Sequence, residues 1–256
     1  MHRLLVALLA LAPLAARAQM QVPDYNWLGA GVRTRPAYDG SAANETELIP
    51  AVRYFGKPWF ARTTQGILEG GARLEITPDL HLGAQIAYEG GRKSSEAEFL
   101  SSRNVPDINP GASAGVHAEW DSHIGPAPTT LLARVRQFAD TDRGAQADLR
   151  FTAGVYGGGR VSAALFFQGT WASAKSNQSF YGIAPDVSAS TNLPTYTPGG
   201  GLLYTTGGLL WEVDLSQRWI VVGSLETRRL QGAAAGSPLV ERPTSRYASA
   251  SLAYRF

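Results

Sequence analysis

The chain has 256 residues and no cysteine, which excludes disulfides, thiolate metal sites and a lipid-modified N-terminal cysteine. Its 23 basic and 21 acidic side chains nearly balance, so the charge gives no indication of a nucleic-acid partner. It carries 28 Gly, 10 Tyr, 9 Phe and 6 Trp. This composition is typical of membrane barrels, whose strands need apolar residues only at alternate positions. Composition alone does not distinguish such a barrel from one or two soluble domains.

The first residues predict an export signal. A short basic start precedes an apolar run from Leu4 to Leu14 and a small-residue cleavage site that ends at Ala18. The run is shorter than the roughly 20 residues that a membrane helix needs. We therefore expect a signal peptide over 1–18 and a mature chain over 19–256.

Alternation of apolar and polar residues predicts β-strands along most of the mature chain. In 146–156, for example, Ala147, Leu149 and Phe151 alternate with polar or small neighbours. The pattern predicts twelve strands, near 25–33, 46–55, 59–65, 69–76, 80–89, 112–120, 131–135, 146–156, 161–171, 203–213, 219–227 and 246–256. Because the period of 59–65 is ambiguous, a count of ten is the alternative.

The connections between these strands alternate in length. The even-numbered connections are short, at 56–58, 78–79, 122–127, 157–159 and 215–217. Four odd-numbered ones are long and polar, at 34–45, 90–110, 172–198 and 230–245. Outer-membrane barrels have short periplasmic turns and long outer loops. We therefore predict an all-β fold, a single transmembrane antiparallel β-barrel in the outer membrane of a Gram-negative bacterium, with both termini periplasmic.

The last predicted strand has one apolar face, which carries Leu252, Tyr254 and Phe256. A final strand that ends on an aromatic residue resembles the closing strand of an outer-membrane barrel. We expect these three residues to act in membrane insertion or at the membrane interface. The strand should pair with the first strand, near 25–33.

One predicted strand carries residue types that could suggest catalysis. Ser113, His117, Glu119 and Asp121 lie on one of its faces, and a serine, a histidine and a carboxylate can form a nucleophile, a base and its orienter. Residues two apart on a strand are separated by about 7 Å, so one strand cannot assemble a triad. We favour a polar ladder in the lumen, and the alternative is a lipid-modifying barrel enzyme built on Ser113 and His117.

Metal and cofactor motifs are weak. Asp140, Asp142 and Asp148 lie in or near a short loop, but the spacing lacks the glutamate that closes a calcium-binding loop. The run 157–160 reads Gly-Gly-Gly-Arg, but a phosphate cradle would precede a helix, whereas this run lies between two predicted strands. We therefore predict an acidic surface turn and a tight hairpin, and no catalytic, cofactor or metal site.

The charges predicted to face the lumen are of both signs. They are Arg53, Arg73, Glu75, Glu119, Arg134, Arg136, Asp148, Arg150, Glu212, Glu226 and Arg228. A lining of one sign would favour a selective pore. The mixture instead favours a narrow or plugged lumen, in keeping with a barrel smaller than the 16–18-stranded porins.

Several loops resemble motifs of the MipA/OmpV family of outer-membrane proteins. The segment 35–41 resembles its Pro-x-Tyr-x-Gly-Ser signature, 180–196 its Tyr-x-Gly and Leu-Pro-x-Tyr stretch, and 229–240 its Arg-Leu-x-Gly to Ser-Pro-x-Val motif. The closing Tyr-Arg-Phe also fits. The loop residues that carry the resemblance are Pro36, Tyr38, Gly40, Ser41, Tyr181, Gly182, Pro194, Tyr196, Ser237 and Pro238. The chain departs from the motifs at Asn192, where Gly is usual, and at Ala233, where Asp is common.

The resemblance implies a non-enzymatic outer-membrane protein without a cofactor. The namesake of the family is described as a scaffold that links the lytic transglycosylase MltA to a penicillin-binding protein during murein growth. The partners to expect are therefore outer-membrane lipid, a murein hydrolase and a penicillin-binding protein. A small-solute channel and a surface adhesin that uses the loops 90–110 and 172–198 remain alternatives. Pro, Gly and Ser in loops can also serve only to fix the backbone shape.

Overall fold

The computed structural model describes residues 25–256. The predicted signal peptide and residues 19–24 lie outside the described residues. Twelve antiparallel strands form a closed barrel, in which each strand pairs with its sequence neighbours and β12 pairs with β1. The strands are β1 (Trp27–Pro36), β2 (Asn44–Phe55), β3 (Trp59–Thr64), β4 (Ile67–Thr77), β5 (Leu80–Glu89), β6 (Gly111–Ile124), β7 (Ala127–Phe138), β8 (Ala145–Gly158), β9 (Val161–Ala172), β10 (Gly201–Asp214), β11 (Trp219–Leu230) and β12 (Thr244–Arg255).

The predicted twelve-stranded antiparallel barrel is confirmed, including the short β3. The predicted turn at 122–127 is wrong in its extent. The ladder between β6 and β7 continues through the pairs Ser122–Thr129 and His123–Pro128, so the turn is only Gly125 and Pro126. The apolar–polar alternation is weak in this stretch because β6 and β7 extend beyond the apolar band of the outer surface, and their residues there are mostly polar.

The two ends of the barrel differ. We call the end with the connections 37–43, 90–110, 173–200 and 231–243 the loop end. The other, the turn end, has the short connections 56–58, 78–79, 125–126, 159–160 and 215–218. Both ends of the described chain lie there, since the amide of Phe256 donates to the carbonyl of Asn26 over 3.1 Å.

Short helices fold within the long loops, and the sequence analysis did not predict them. They are α1 (Glu98–Ser101), α2 (Ala174–Tyr181), α3 (Pro185–Thr191) and α4 (Gly232–Ala235). Asn192 ends α3 in the left-handed region at φ 58°, which a glycine or an asparagine adopts readily, so the departure from the family motif is compatible with the same turn. Within residues 25–256, no helix has the length and apolarity required to cross a membrane.

The outer surface of the barrel is apolar because alternate residues of each strand point outward. Exposed aliphatic side chains form a band that includes Leu48, Leu74, Ile86, Val116, Val135, Leu149, Leu165, Leu225 and Leu252. Exposed aromatic side chains lie near both ends, with Tyr88 and Trp171 near the loop end and Trp59, Trp120 and Trp219 near the turn end. An apolar band bordered by aromatic residues is the lipid-facing surface of a membrane barrel.

β12 pairs with β1 as predicted, through Leu28–Tyr254 and Ala30–Leu252. Leu252 and Phe256 are exposed on the outside, and the ring of Tyr254 lies 5.3 Å from the ring of Trp219 on β11. Their role in membrane insertion remains a prediction.

The shortest strand pairing in the wall is that between β2 and β3. β2 pairs with β3 through three residue pairs, whereas it pairs with β1 through ten. The hairpin of β3 and β4 turns at Gln65 and Gly66, and Nε2 of Gln65 donates to Oε2 of Glu226 on β11 over 3.1 Å. The tip of this hairpin therefore leans into the lumen.

Candidate functional site in a capped lumen

The four long loops pack together into a cap over the loop end of the barrel. Two clusters of buried side chains form its interior. One consists of Ala37, Tyr38, Ala97, Leu100, Val105, Ile183 and Leu239, and the other of Ala172, Tyr181, Leu203, Tyr204, Leu230 and Ala234. Because the first cluster joins side chains from all four loops, the loops fold as one unit, which we call the loop cap.

The loop residues of the family motifs lie in this cap, and hydrogen bonds join several of them. The hydroxyl of Tyr38 donates to the carbonyl of Leu239 over 3.0 Å. The hydroxyl of Ser237 donates to the carbonyl of Tyr181 over 2.7 Å. The hydroxyl of Tyr196 donates to the carbonyl of Ala233 over 2.7 Å. The motif segments are thus brought together, although they are far apart in the sequence.

Other motif residues fix the shape of the loops. Gly40 has φ 104°, and a Cβ there would lie 2.9 Å from Cγ2 of Val240. A Cβ on Gly182 would lie 2.1 Å from Nε2 of Gln178. The hydroxyl of the buried Ser41 accepts from the amide of Ala43 over 3.0 Å. Pro36 is buried at the end of β1, Pro238 is half-buried and Pro194 is exposed.

An ion pair ties the cap to the wall. Oδ2 of Asp39 accepts from Nη1 of Arg228 over 2.8 Å, and its Oδ1 accepts from the hydroxyl of Tyr247. Burial raises the pKa of Asp39, but the charge of Arg228 and the Tyr247 hydrogen bond outweigh it and hold that pKa below its usual range. Strand alternation places Arg228 in the lumen, but its partner was not predicted. Asp39 occupies a position of the Pro-x-Tyr-x-Gly-Ser motif at which the motif specifies no residue.

Below the cap, a network of ion pairs fills the middle of the lumen. Glu69 accepts from Nε of Arg62 over 2.5 Å and from Nη1 of Arg134 over 2.6 Å. Oδ2 of Asp148 accepts from Nε of Arg134 over 2.9 Å, and Nη2 of Arg136 lies 3.2 Å from the same oxygen. We call these five residues the lumenal network. Opposite charges thus pair between neighbouring strands, as Arg134 on β7 and Asp148 on β8 do, and also across the lumen, as Arg134 and Glu69 on β4 do.

One predicted lumenal charge is misplaced. Glu75 lies at the rim of the turn end with its side chain 49% exposed, and its carboxylate is 3.4 Å from Nζ of Lys57. The strand alternation gives its face correctly, but β4 has reached the edge of the barrel at this residue, beyond the enclosed lumen.

The residues that could suggest catalysis face the lumen with separate partners. The hydroxyl of Ser113 donates to Glu89 over 2.5 Å. The ring of His117 packs edge-on against Phe60, with 5.3 Å between ring centres, and its Nδ1 has no hydrogen-bond partner within residues 25–256. Glu119 accepts from Arg62 over 2.8 Å, and Asp121 accepts from Thr130 over 2.6 Å. The arrangement is a polar ladder and not a triad.

The acidic residues considered as a calcium site are not brought together. Oδ1 of Asp140 accepts from the amide of Asp142 over 3.1 Å in an exposed turn, whereas Asp148 belongs to the lumenal network. The part of the chain that the structure describes has no group of three or more possible metal ligands. Gly159, at φ 59°, forms the hairpin turn between β8 and β9.

A cavity of about 850 Å³ lies between the lumenal network and the turn end, and we call it the turn-end cavity. The charged residues that line it are Arg33, Arg53, Arg62, Arg73, Glu119, Asp121, Arg150, Glu212 and Glu226. Trp27 and Phe55 add aromatic surface. Strand alternation predicts the lumenal position of several of these charges but does not predict a cavity. The cavity volume depends on how the β3–β4 hairpin leans inward, since Gln65 and Gly66 line it.

The family model described as "MltA-interacting protein MipA" matches residues 28–256, which is the whole barrel and its cap. The chain belongs to the MipA family. This agrees with the family resemblance of the loop motifs. Together with the closed barrel and its apolar band, membership of the MipA family identifies the protein as an outer-membrane barrel.

Solved structures with a similar fold are outer-membrane barrels at low identity. A bacterial polysaccharide outer-membrane secretin has 8% identity and a TM-score of 0.47, covering 92% of this chain and 100% of its own. The NanC porin has 10% identity and a TM-score of 0.49, covering 90% and 100%. The COG4313 outer-membrane channel from Pseudomonas putida F1 has 9% identity and a TM-score of 0.47, covering 95% and 100%. Likeness at this level carries no functional argument. No curated protein matches the sequence.

Proposed function

We propose that the protein is a non-enzymatic scaffold of the outer membrane, which holds a murein hydrolase of the lytic transglycosylase class and a penicillin-binding protein at its turn end. One observation carries the proposal. The loop cap covers one end of the lumen and the lumenal network fills its middle, so a path for solutes along the barrel axis is blocked. A barrel without such a path is expected to act by binding other molecules at its surfaces. The family description, an MltA-interacting protein, supports a murein enzyme as the partner.

The turn end has features of a protein-binding rim. Leu215 is 50% exposed within the β10–β11 turn, beyond Trp219, which lies at the start of β11. An aromatic residue at the end of a strand can be accounted for by the membrane interface, but an exposed leucine in the turn beyond it cannot. Lys57 and Arg218 are exposed charges in turns of the same rim, and a polar border around an apolar contact area is typical of interaction sites.

The orientation supports the same surface. Short turns of outer-membrane barrels are periplasmic, and the murein layer lies in the periplasm. We therefore infer that the turn end and both ends of the described chain are periplasmic. Partner enzymes would then reach Leu215 and Lys57, whereas the loop cap would face the outside.

A copurification experiment tests the scaffold. The protein is extracted under native conditions and captured, and bound murein hydrolase is measured. We expect Lys57→Glu combined with Leu215→Ser to abolish copurification. Lys93→Glu, which makes the same charge change at an exposed position of the loop cap, should retain it. No associated hydrolase with the unaltered chain, or equal recovery with all variants, would contradict the proposal.

The competing function is a small-solute channel. A planar bilayer distinguishes the two, because a lumen blocked by the network should give no steady single-channel steps. Regular conductance steps would favour the channel and count against the scaffold as the principal function.

A further inference from the structure

Arg150 on β8 lines the turn-end cavity without an ion-pair partner. Its exposure is 8%, and it forms neither a hydrogen bond nor an ion pair with any residue of 25–256. Its guanidinium carbon lies 3.8 Å from the centre of the Phe166 ring, which shields one face of the group. A buried guanidinium without a counter-charge is costly, so this site has room for an anion that the described chain does not supply.

Two further arginines in the cavity lack a close carboxylate. The nearest carboxylate oxygen to Arg33 is that of Glu47, at 3.7 Å. Arg53 donates to the backbone carbonyl of Tyr25 over 2.7 Å and forms no ion pair with residues 25–256. The cavity therefore holds positive charge that is only partly compensated, and low-dielectric walls strengthen the resulting field.

The carboxylates that line the cavity are already engaged. Glu119 accepts from Arg62 over 2.8 Å, and Asp121 accepts from Thr130 over 2.6 Å. Glu212 accepts from Arg255 over 3.2 Å. Within the described residues, none of these three carboxylates forms an ion pair with Arg150, Arg33 or Arg53.

Glu226 is the remaining carboxylate that lines the cavity with Arg150. No ion pair joins the two within the described residues. Oε1 of Glu226 accepts from the hydroxyl of Ser224 over 2.8 Å, and Oε2 accepts from Nε2 of Gln65 over 3.1 Å. Neutral donors hold this carboxylate in place, so the hydrogen-bond donors of Arg150 stay unused.

We propose that the turn-end cavity binds a small organic oxyanion, whose carboxylate or phosphate group accepts hydrogen bonds from Arg150. Guanidinium groups bind both kinds of oxyanion through paired N–H donors. The volume of about 850 Å³ falls within the range of small-molecule sites. Trp27 and Phe55 line the cavity and would contact the carbon skeleton of the ligand. This site is independent of the scaffold, since Lys57 and Leu215 do not line it.

The binding test uses the full mature chain in a neutral detergent. Citrate and inorganic phosphate are titrated separately by calorimetry, with sucrose as the uncharged control. Arg150→Gln removes the unpaired guanidinium. Arg160→Gln removes the same charge from an exposed position in the β8–β9 turn, outside the cavity lining, and is the matched control. Arg150→Lys keeps the charge but loses the paired donors.

We expect the unaltered chain and Arg160→Gln to bind at least one of the two anions saturably, and more weakly as salt is added. Arg150→Gln should weaken binding about tenfold or more, because a hydrogen bond to a charged group has roughly that effect on affinity. Arg150→Lys should fall between them. Binding of citrate alone identifies a carboxylate site, and binding of phosphate alone identifies a phosphate site.

Two results would overturn the proposal. One is that neither anion binds to the unaltered chain. The other is equal affinity in Arg150→Gln, Arg150→Lys and the unaltered chain. Copurification of a murein hydrolase is measured on Arg150→Gln as well, so that failure of this site and failure of the scaffold are distinguished.

Discussion

Nη1 of Arg228 on β11 lies 2.8 Å from Oδ2 of Asp39. This ion pair joins the loop 37–43, which follows β1, to a strand on the other side of the β1–β12 pairing that closes the barrel. The guanidinium also lies over two rings, 4.2 Å from the centre of Tyr204 and 4.8 Å from that of Tyr247. Arg228 is 89% buried as a side chain, so loss of its partner leaves a charge with little access to water. The loop cap and the barrel wall should therefore lose stability together.

Asp39→Asn tests this coupling. We expect a loss of about 2 kcal/mol in the free energy of unfolding, because the hydrogen bond to a charged group is weakened and Arg228 is left uncompensated. Urea unfolding in lipid vesicles, followed by tryptophan fluorescence, measures the change. Asp79→Asn is the control, since Asp79 lies exposed in the β4–β5 turn and forms no side-chain hydrogen bond with residues 25–256. Equal effects of the two variants would contradict the assigned role.

The same carboxylate predicts a pH dependence. The pKa of Asp39 is lowered in the folded state, so its contribution is fully present above the unfolded pKa of about 4. That contribution is lost as the pH falls below 4 and through the folded pKa. The stability difference between the unaltered chain and Asp39→Asn should be constant near neutral pH and shrink in acid. A difference that does not change down to strongly acidic pH would count against the ion pair.

Glu69→Gln should disrupt the lumenal network. Glu69 is 2% exposed and accepts from two arginines, so the variant leaves a buried excess of positive charge. We expect a loss of about 3 kcal/mol or more. Glu75→Gln, on the same strand but in the exposed rim pair with Lys57, should change stability by no more than about 0.5 kcal/mol. Urea midpoints of the two variants provide the comparison.

Gly40→Ala should loosen the loop cap. The residue has φ 104°, and the added Cβ would crowd Val240, so we expect a cost of about 1–3 kcal/mol. Faster amide hydrogen exchange in 37–43 and 231–243 would report it. Gly90→Ala is the matched control, because a Cβ there meets no atom within 4 Å. Unchanged exchange in Gly40→Ala would show that the loop accommodates the methyl group.

The strands were predictable because alternation is local. In 146–154, each residue has its face set by its immediate neighbours, and the barrel follows from twelve such patterns and the loop lengths. The cap was not predictable in the same way. The hydroxyl of Tyr38 meets the carbonyl of Leu239 across 201 positions of sequence, and no local pattern encodes such a contact.

The candidate site was predicted only in its parts. Alternation indicates that Arg150 and Glu226 face the lumen, but not which charges pair. That choice depends on the lean of the β3–β4 hairpin, which directs Gln65 rather than an arginine to Glu226. The family motifs lie in loops that form the cap, but neither the Asp39–Arg228 ion pair nor the helices within the loops could be predicted from them.

The short β3 has a consequence for how the barrel is held shut. Beyond its three residue pairs with β3, the part of β2 nearer the loop end has no further ladder pairs with that strand, although the hydroxyl of Thr63 donates to the carbonyl of Pro50 over 2.9 Å. Ala37 and Tyr38, from the loop that precedes β2, pack against Leu100 and Val105 from the loop that follows β5. The loop cap thus adds apolar contacts above the short β2–β3 ladder. Because this ladder has the fewest residue pairs, we expect the wall to separate first between β2 and β3 under mechanical load.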